Sequence, residues 1–236
     1  MSVDDALLTI NNSTIFLQNP SKFNDPYDCY HGLIDSKKIE REYSIEILDH
    51  PSFSHLSPRI KESLKKKINS GELDVRQPFI DTLNFAKSRI GISCFSTLNK
   101  NLLMWSHYAN KHKGVCIGFN FNIAPPLNLF QAKVVYKKKF DKSVNFFANP
   151  DDFYSNWLLT KSIDWKYEKE VRLVSLEKKG VYKIDSKNII EVFFGSKTSK
   201  LDQEKLTIEL KKMEYSVIIK KLVLKEKEFK LVEEEA

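Results

Sequence analysis

Hydrophobic positions recur with two different periods along this chain, and the two periods separate its helices from its strands. Residues 4–11 have the spacing of a short helix capped by Ser2 or Asp4, and residues 13–17 are extended. From residue 36 to about residue 87, apolar residues recur at helical spacing, interrupted by prolines and one glycine. We expect this region, about 36–87, to be a largely helical insertion.

Short apolar and β-branched segments dominate the remainder of the chain. They predict strands at 89–97, 114–121, 133–136, 165–174, 189–195 and 216–223, with helices at 102–110, 151–161 and 199–213, the last capped by Ser199. Strands that outnumber the helices, with helices grouped early, indicate an α+β fold with a mainly antiparallel sheet. We expect one domain over residues 1–236.

The predicted strand 165–174 has an unusual distribution of charge. Glu168, Glu170 and Arg172 alternate with Val171 and Leu173, so the charged and apolar side chains should lie on opposite faces. Such a strand is half-buried, and its polar face is either solvated or presented to a ligand. The neighbouring motifs favour a ligand.

Composition limits the partners and the cellular location that we expect for this protein. The 236 residues carry a formal charge of +7, much of it in short lysine runs that permit nucleic acid or a dinucleotide as a partner. No apolar run approaches the ~20 residues of a membrane span, and the N-terminus lacks the basic start of a signal peptide. We expect a cytoplasmic protein with no membrane contact. Its three cysteines, Cys29, Cys94 and Cys116, are expected to be buried thiols.

Four motifs in order carry the candidate chemistry. They are Phe23-Asn24-Asp25-Pro26-Tyr27-Asp28, Ser93-Cys94-Phe95-Ser96, Leu103-Met104-Trp105-Ser106-His107-Tyr108-Ala109 followed by Gly114-Val115-Cys116-Ile117, and Trp165-Lys166-Tyr167-Glu168-Lys169-Glu170-Val171-Arg172. From about Asp4 to Gly195, this arrangement resembles the bacterial family called domain of unknown function 2971.

A more remote resemblance, of pattern alone, is to the ADP-ribosyltransferase superfamily. The segment 93–97 is similar to the serine-bearing strand of those enzymes, and Glu168-Lys169-Glu170 is similar to their glutamate motif. The resemblance implies a split sheet with NAD in its cleft, and a role as a toxin or phage-defence effector that modifies a nucleic acid or protein. Glu170 would stabilise the oxocarbenium-like transition state, and Glu168 would orient or deprotonate the acceptor. The residues then expected at the cofactor are Asn24, Asp25, Ser93, Ser96, Trp105, His107, Tyr108 and Arg172.

Other functions remain open at this point. The same polar residues could stabilise a cleft in a non-catalytic module that binds a nucleotide or a partner. A metal-dependent nuclease would need Glu168, Glu170, Asp25 and His107 to converge on an ion. A zinc site from Cys94, His107, His112 and Cys116 lacks a paired Cys-x-x-Cys, so no metal is predicted. His107 and Tyr108 are adjacent on a predicted helix, about 100° apart, so at most one should face a single cleft.

Overall fold

The structure, a computed structural model, describes residues 1–30, 44–46, 48–49, 51–74, 76–139, 150–213 and 215–235. Its helices are α1 (Val3–Asn12), α2 (Pro58–Ser70), α3 (Arg76–Arg89), α4 (Leu102–Tyr108), α5 (Pro150–Leu159) and α6 (Lys200–Lys211). Its strands are β1 (Thr14–Leu17), β2 (Gly91–Ser96), β3 (Val115–Phe119), β4 (Phe130–Lys133), β5 (Val135–Lys137), β6 (Thr160–Ser162), β7 (Glu170–Ser175), β8 (Gly180–Lys183), β9 (Ile189–Phe194), β10 (Ile218–Leu224) and β11 (Leu231–Glu235).

The strands form several small sheets rather than one. A four-stranded sheet has the order β11-β10-β9-β3, a three-stranded sheet has the order β2-β7-β4, and β1-β8 and β5-β6 are two-stranded. In the described part of the chain, the pairs β9-β10 and β5-β6 are parallel and the other pairs are antiparallel. The predicted α+β class with mainly antiparallel sheets is therefore confirmed.

Helices cover both larger sheets. Ala6 and Ile10 of α1 and Leu206 of α6 share a core with Val115 and Val192 on one face of the four-stranded sheet. Trp105 of α4 packs on the opposite face of that sheet. The outer face of the three-stranded sheet packs against α3 and α5, through Leu83, Trp157 and Leu158 among others. None of the described helices is long and apolar enough to cross a membrane.

Local capping signals were predicted correctly. The Ser2 hydroxyl accepts a hydrogen bond from the amide of Asp5 and begins α1. The Ser199 hydroxyl does the same for the amide of Asp202 and begins α6. Of the predicted helical insertion, the described part contains α2 and most of α3, while residues 36–43, 47, 50 and 75 lie outside the described residues.

The predicted strand 165–174 is wrong in its first half. Residues Ile163–Glu168 form a 3-10 helix, and Lys169 has a left-handed backbone with φ 46°. The strand β7 begins only at Glu170, so Glu168 does not belong to it. β7 is also the central strand of its sheet, and Glu170 and Arg172 are buried rather than presented to solvent.

Candidate functional site

Five charged side chains form a buried ion cluster on the side of β7 that faces α5. They are Asp28, Lys161, Glu168, Glu170 and Arg172, each at most 7% exposed. The Lys161 ammonium donates to Glu168 Oε2 at 2.6 Å and to Glu170 Oε2 at 3.0 Å. Arg172 Nε donates to Glu170 Oε1 at 2.7 Å. The cluster holds three carboxylates and two cations, so ordinary ionisation leaves it with one net negative charge.

The guanidinium of Arg172 also reaches a loop far away in the sequence. It donates to Asp28 Oδ1 at 2.8 Å and to Oδ2 at 2.6 Å, a two-point pair. A further hydrogen bond goes to the carbonyl of Leu158 at the end of α5. Arg172 therefore fastens three parts of the chain together, and all its contacts are inside the protein.

Electrostatics inside the cluster favour the charged forms. Burial alone would raise the pKa of Glu170, but Arg172 and Lys161 outweigh it and lower that pKa to about 2. Burial alone would lower the pKa of Lys161, but Glu170 and Glu168 outweigh it and raise that pKa. Glu170 is therefore a carboxylate near neutral pH, held by two cations.

Tyr108 connects the ion cluster to the surface. Its hydroxyl donates to Glu168 Oε1 at 2.6 Å and accepts a weaker hydrogen bond from Asn24 Nδ2 at 3.4 Å. Burial and the hydrogen bond to Glu168 raise the pKa of Tyr108, so the phenol stays protonated. Since 41% of Tyr108 is exposed, it is the point at which the cluster meets solvent.

A cavity of about 940 Å³ lies between β2 of the three-stranded sheet and β3 of the four-stranded sheet; we call it the inter-sheet cavity. Ser93, Ser96, Trp105 and Tyr108 line it, as do the rings of Phe95, Phe119 and Phe121. The three phenylalanine rings are half-buried and touch one another. Half-buried aromatic rings beside polar groups are typical of small-molecule sites.

Within the described residues, β2 and β3 are edge strands of their sheets, and their outer backbone edges face the inter-sheet cavity. Ile92 exchanges two 2.8 Å hydrogen bonds with Gln18, so its amide and carbonyl point away from β7. Hydrogen-bonding direction repeats every second residue, so the amides and carbonyls of Cys94 and Ser96 point the same way. The same argument, from Val115 bonded to Met1, applies to Ile117 of β3. These groups are donors and acceptors that a ligand could use.

The predicted site residues divide into two groups. Ser93, Ser96, Trp105 and Tyr108 share the lining of the inter-sheet cavity. Among the described residues, those predicted for the site that do not line it are Asn24, Asp25, His107, Glu168, Glu170 and Arg172. Neighbours on a strand point to opposite faces, so Val171 and Leu173 line the cavity while Glu170 and Arg172 face α5. The Glu168 carboxylate accepts a hydrogen bond from Tyr108, and the Glu168 carbonyl accepts one at 2.6 Å from the hydroxyl of Ser96, so Glu168 lies behind two residues of the lining.

The remaining predicted residues have other surroundings. Asn24 and His107 are exposed. Asp25 is buried, with Oδ1 accepting from the amide of Tyr27 at 2.9 Å and Oδ2 unpaired within the described residues. No group of three or more His, Cys, Asp or Glu side chains among the described residues has the arrangement of a metal site. The cationic groups of Lys161 and Arg172 lie between the carboxylates.

The prediction that all three cysteines are buried is wrong for Cys94. Cys29 is buried and Cys116 is half-buried, whereas Cys94 is exposed as a residue, with its thiol on the face of β2 that meets Glu170 and Arg172 of β7. The surrounding protein and the Glu170 carboxylate nevertheless raise the pKa of Cys94 well above its ordinary value. Its thiol is therefore protonated near neutral pH and is a poor nucleophile.

Sequence reasoning missed three features of the site. Lys161 ends a predicted helix and gave no signal of burial. Asp28 lies in the first of the four motifs, but no local sequence pattern connects it with Arg172, which is 144 positions away. Tyr136, in a predicted strand, accepts a hydrogen bond from the amide of Glu170 at 2.8 Å.

A family model described as protein of unknown function (DUF2971) matches residues 104–173, which extend from α4 into β7. The match supports the resemblance to this family and contains two of the four motifs, those around Trp105 and Glu170. The comparisons with curated proteins and with solved structures found no match.

Proposed function

We propose that this protein is a ligand-binding module whose inter-sheet cavity takes a small molecule with a flat aromatic ring, a nucleotide such as NAD being the first candidate. The observation that carries the proposal is the lining itself. Four residues from two separate motifs, Ser93, Ser96, Trp105 and Tyr108, meet there beside a group of half-buried phenylalanine rings. A volume of about 940 Å³ is within the usual range for small-molecule sites, ~300–1,000 Å³.

The chemistry of the walls fits an aromatic heterocycle. Ring faces and edges of Phe95, Phe119 and Phe121 offer stacking surface. The backbone edges at Cys94 and Ile117 offer an amide donor next to a carbonyl acceptor, the pattern that a ring carboxamide or a nucleobase edge can complete. A ligand held in this way needs no covalent chemistry from the protein.

Binding is tested by calorimetry and tryptophan fluorescence with NAD, adenosine and nicotinamide. We expect saturable binding of at least one ring compound, weakened about tenfold or more by Phe119→Ala, since base-aromatic stacking contributes ~1–3 kcal/mol. Phe229→Ala is the matched control, because Phe229 is fully exposed outside the cavity and should leave binding unchanged. Absence of binding by a folded wild-type protein, or equal binding by Phe119→Ala, rejects the proposal.

A second candidate, ADP-ribosyl transfer, is favoured by one contact. Tyr108 lines the cavity and donates to Glu168, so a carboxylate lies one hydrogen bond behind the wall. In this reaction the bond from C1′ of the ribose to nicotinamide would break and the nucleophile of a nucleic acid or protein acceptor would bond to C1′, releasing its proton. Glu170 is held by Arg172 and Lys161, so it would act only after those contacts rearrange.

Transfer is tested with NAD labelled in the adenylate part, incubated with cell extract. Glu168→Gln and Glu170→Gln are compared with the wild type, and Glu204→Gln, on the exposed surface of α6, is the control. Label on an acceptor that disappears in either cluster variant and persists in Glu204→Gln supports the transferase. Equal labelling, or none, in all four proteins removes it.

A further inference from the structure

The edge strands of the two larger sheets differ in how they are protected against pairing with another chain. Sheet edges usually carry charged residues, prolines or bulges that prevent such pairing. Residues 233–235 of β11 are all glutamates, and the short strand β4 ends at Lys133. By contrast, β2 and β3 contain no charged residue and no proline. The register of β3 is irregular at Gly118 and Phe119, whereas that of β2 with β7 is regular, so β2 is the least protected edge.

The backbone of β2 is accessible from the inter-sheet cavity. Cys94 is exposed as a residue, yet burial raises the pKa of its thiol, so the exposed part of Cys94 includes its backbone. The hydroxyl of Ser96 is also engaged, since it donates to the carbonyl of Glu168 at 2.6 Å. Among the described residues, the amides and carbonyls of Cys94 and Ser96 that point away from β7 have no hydrogen-bond partner. They form a row of donors and acceptors in the cavity wall.

The chain itself shows what kind of group pairs with this edge. Gln18 forms an isolated antiparallel bridge with Ile92 and exchanges two hydrogen bonds of 2.8 Å with it. The residues before Gln18 belong to β1, which pairs with β8 and does not continue along β2. Gln18 therefore occupies the first position of an added strand, and the next two positions, at Cys94 and Ser96, are open to the cavity.

The two faces of β2 determine which side chains an added strand should carry. Directly opposed residues of an antiparallel pair point to the same face of the sheet. A residue opposite Phe95 would therefore direct its side chain at the group of half-buried phenylalanine rings, where an apolar side chain fits. Residues opposite Cys94 and Ser96 would point to the other face, where Ser96 and Tyr108 both bond to Glu168 and a small polar side chain fits.

We infer that the inter-sheet cavity accepts an extended peptide segment of a partner protein, which pairs antiparallel with β2 through the backbone of Cys94 and Ser96. Strand addition of this kind takes its affinity from main-chain hydrogen bonds and its specificity from alternate side chains. The inference goes beyond the proposed function and does not depend on it. A bound strand would use the same backbone groups as a ring compound, so the partner would exclude that compound from the cavity.

The probe is a short, fluorescently labelled peptide in which valine and threonine alternate, with a lysine at each end for solubility. When its valines face the phenylalanine rings, the amides of its threonines point at β2. Two further peptides carry N-methyl groups either on the threonines or on the valines, and fluorescence anisotropy measures the binding of all three to the wild type. We expect methylation of the threonines to weaken binding about tenfold or more, because the threonine amides can no longer donate to β2. Methylation of the valines should have a smaller effect.

Phe95→Ala should weaken binding of the unmethylated peptide about fivefold or more, since the ring contact is lost, and Phe229→Ala, outside the cavity, should leave it unchanged. Circular dichroism checks that both variants are folded. Absence of peptide binding to the folded wild type, or equal effects of the two methylations, overturns the inference. A ring compound that binds when the peptide does not leaves the ligand-binding proposal standing. Peptide binding without binding of any ring compound removes that proposal and supports this inference.

Discussion

The guanidinium of Arg172 holds both carboxylate oxygens of Asp28, at 2.8 and 2.6 Å, across 144 positions of sequence. Both side chains are almost wholly buried, so neither can exchange its partner for water. The pair therefore joins the loop after β1 to the centre of the three-stranded sheet. Its energetic importance can be measured directly.

Asp28→Asn should destabilise the protein strongly. The substitution keeps the shape of the side chain but removes the charge that Arg172 faces, and breaking one partner of a buried pair typically costs ~3–5 kcal/mol. Urea unfolding followed by circular dichroism measures the loss. Glu209→Gln, which breaks the surface pair of Glu209 with Lys212, is the control and should cost less than ~1 kcal/mol. Equal losses of unfolding free energy from Asp28→Asn and Glu209→Gln would show that burial does not strengthen the pair of Asp28 and Arg172.

The contribution of Glu170 to the free energy of unfolding should fall as the pH is lowered through a defined range. Its folded pKa, about 2, lies below the ordinary value of 4.5, so its stabilising effect is complete above 4.5 and is lost as the pH falls toward 2. The difference in unfolding free energy between wild type and Glu170→Gln should therefore shrink on acidification from pH 5 to pH 3. A difference that stays constant over this range would contradict the depressed pKa.

Local sequence signals anticipated the local structure and missed the long-range contacts. Ser2 and Ser199 were identified as helix caps because a cap depends on residues within one turn. Val171 and Leu173 were placed correctly on the apolar face by their alternation. The strands β4, β8 and β11 were missed, since they have four or five residues and few of these are buried. The start of β6, which has three residues, was predicted as the end of the helix 151–161.

The surroundings of the site residues depend on contacts between residues far apart in the sequence, and no local sequence pattern predicts such contacts. Lys161 looks like a solvated lysine at the end of a helix, yet three carboxylates lie within 4.0 Å of its ammonium. Glu191 is surrounded in sequence by apolar strand residues, yet it lies opposite Gly118 and belongs to the lining of the inter-sheet cavity. Packing between sheets, rather than periodicity, decides these two environments.

Replacement of Lys161 should produce a variant that acid partly rescues. Lys161→Met keeps the length of the side chain over the Trp165 ring, 4.8 Å away, but leaves three carboxylates with one cation. We expect a loss of ~3–5 kcal/mol at pH 7. Without Lys161 the folded pKa of Glu170 rises, so the variant binds a proton at higher pH than the wild type does. Its deficit in unfolding free energy should narrow as the pH falls from 5 to 3, where the wild type loses the contribution of Glu170, and a deficit that widens would contradict this account.

Tyr108→Phe should weaken both the fold and the cavity wall. The hydroxyl is the donor that reaches Glu168 Oε1 at 2.6 Å, and its loss leaves one oxygen of a buried carboxylate without that partner. We expect a cost of ~1–3 kcal/mol in unfolding free energy. Tyr167→Phe is a suitable control, because no hydrogen bond of the Tyr167 hydroxyl to a residue in the described ranges is found. Similar losses from both variants would show that the Glu168 contact contributes nothing.

Two glycine substitutions should differ in their cost to stability. At Gly195 an added Cβ would lie 2.2 Å from the backbone carbonyl oxygen of His112, which cannot move independently of its loop. Gly195→Ala should therefore cost ~1–3 kcal/mol of unfolding free energy. At Gly118 the three atoms nearest to the added Cβ belong to the side chain of Glu191, which can change rotamer, so Gly118→Ala should cost less than Gly195→Ala. Urea unfolding followed by circular dichroism measures both losses. A loss from Gly118→Ala as large as that from Gly195→Ala would contradict this account.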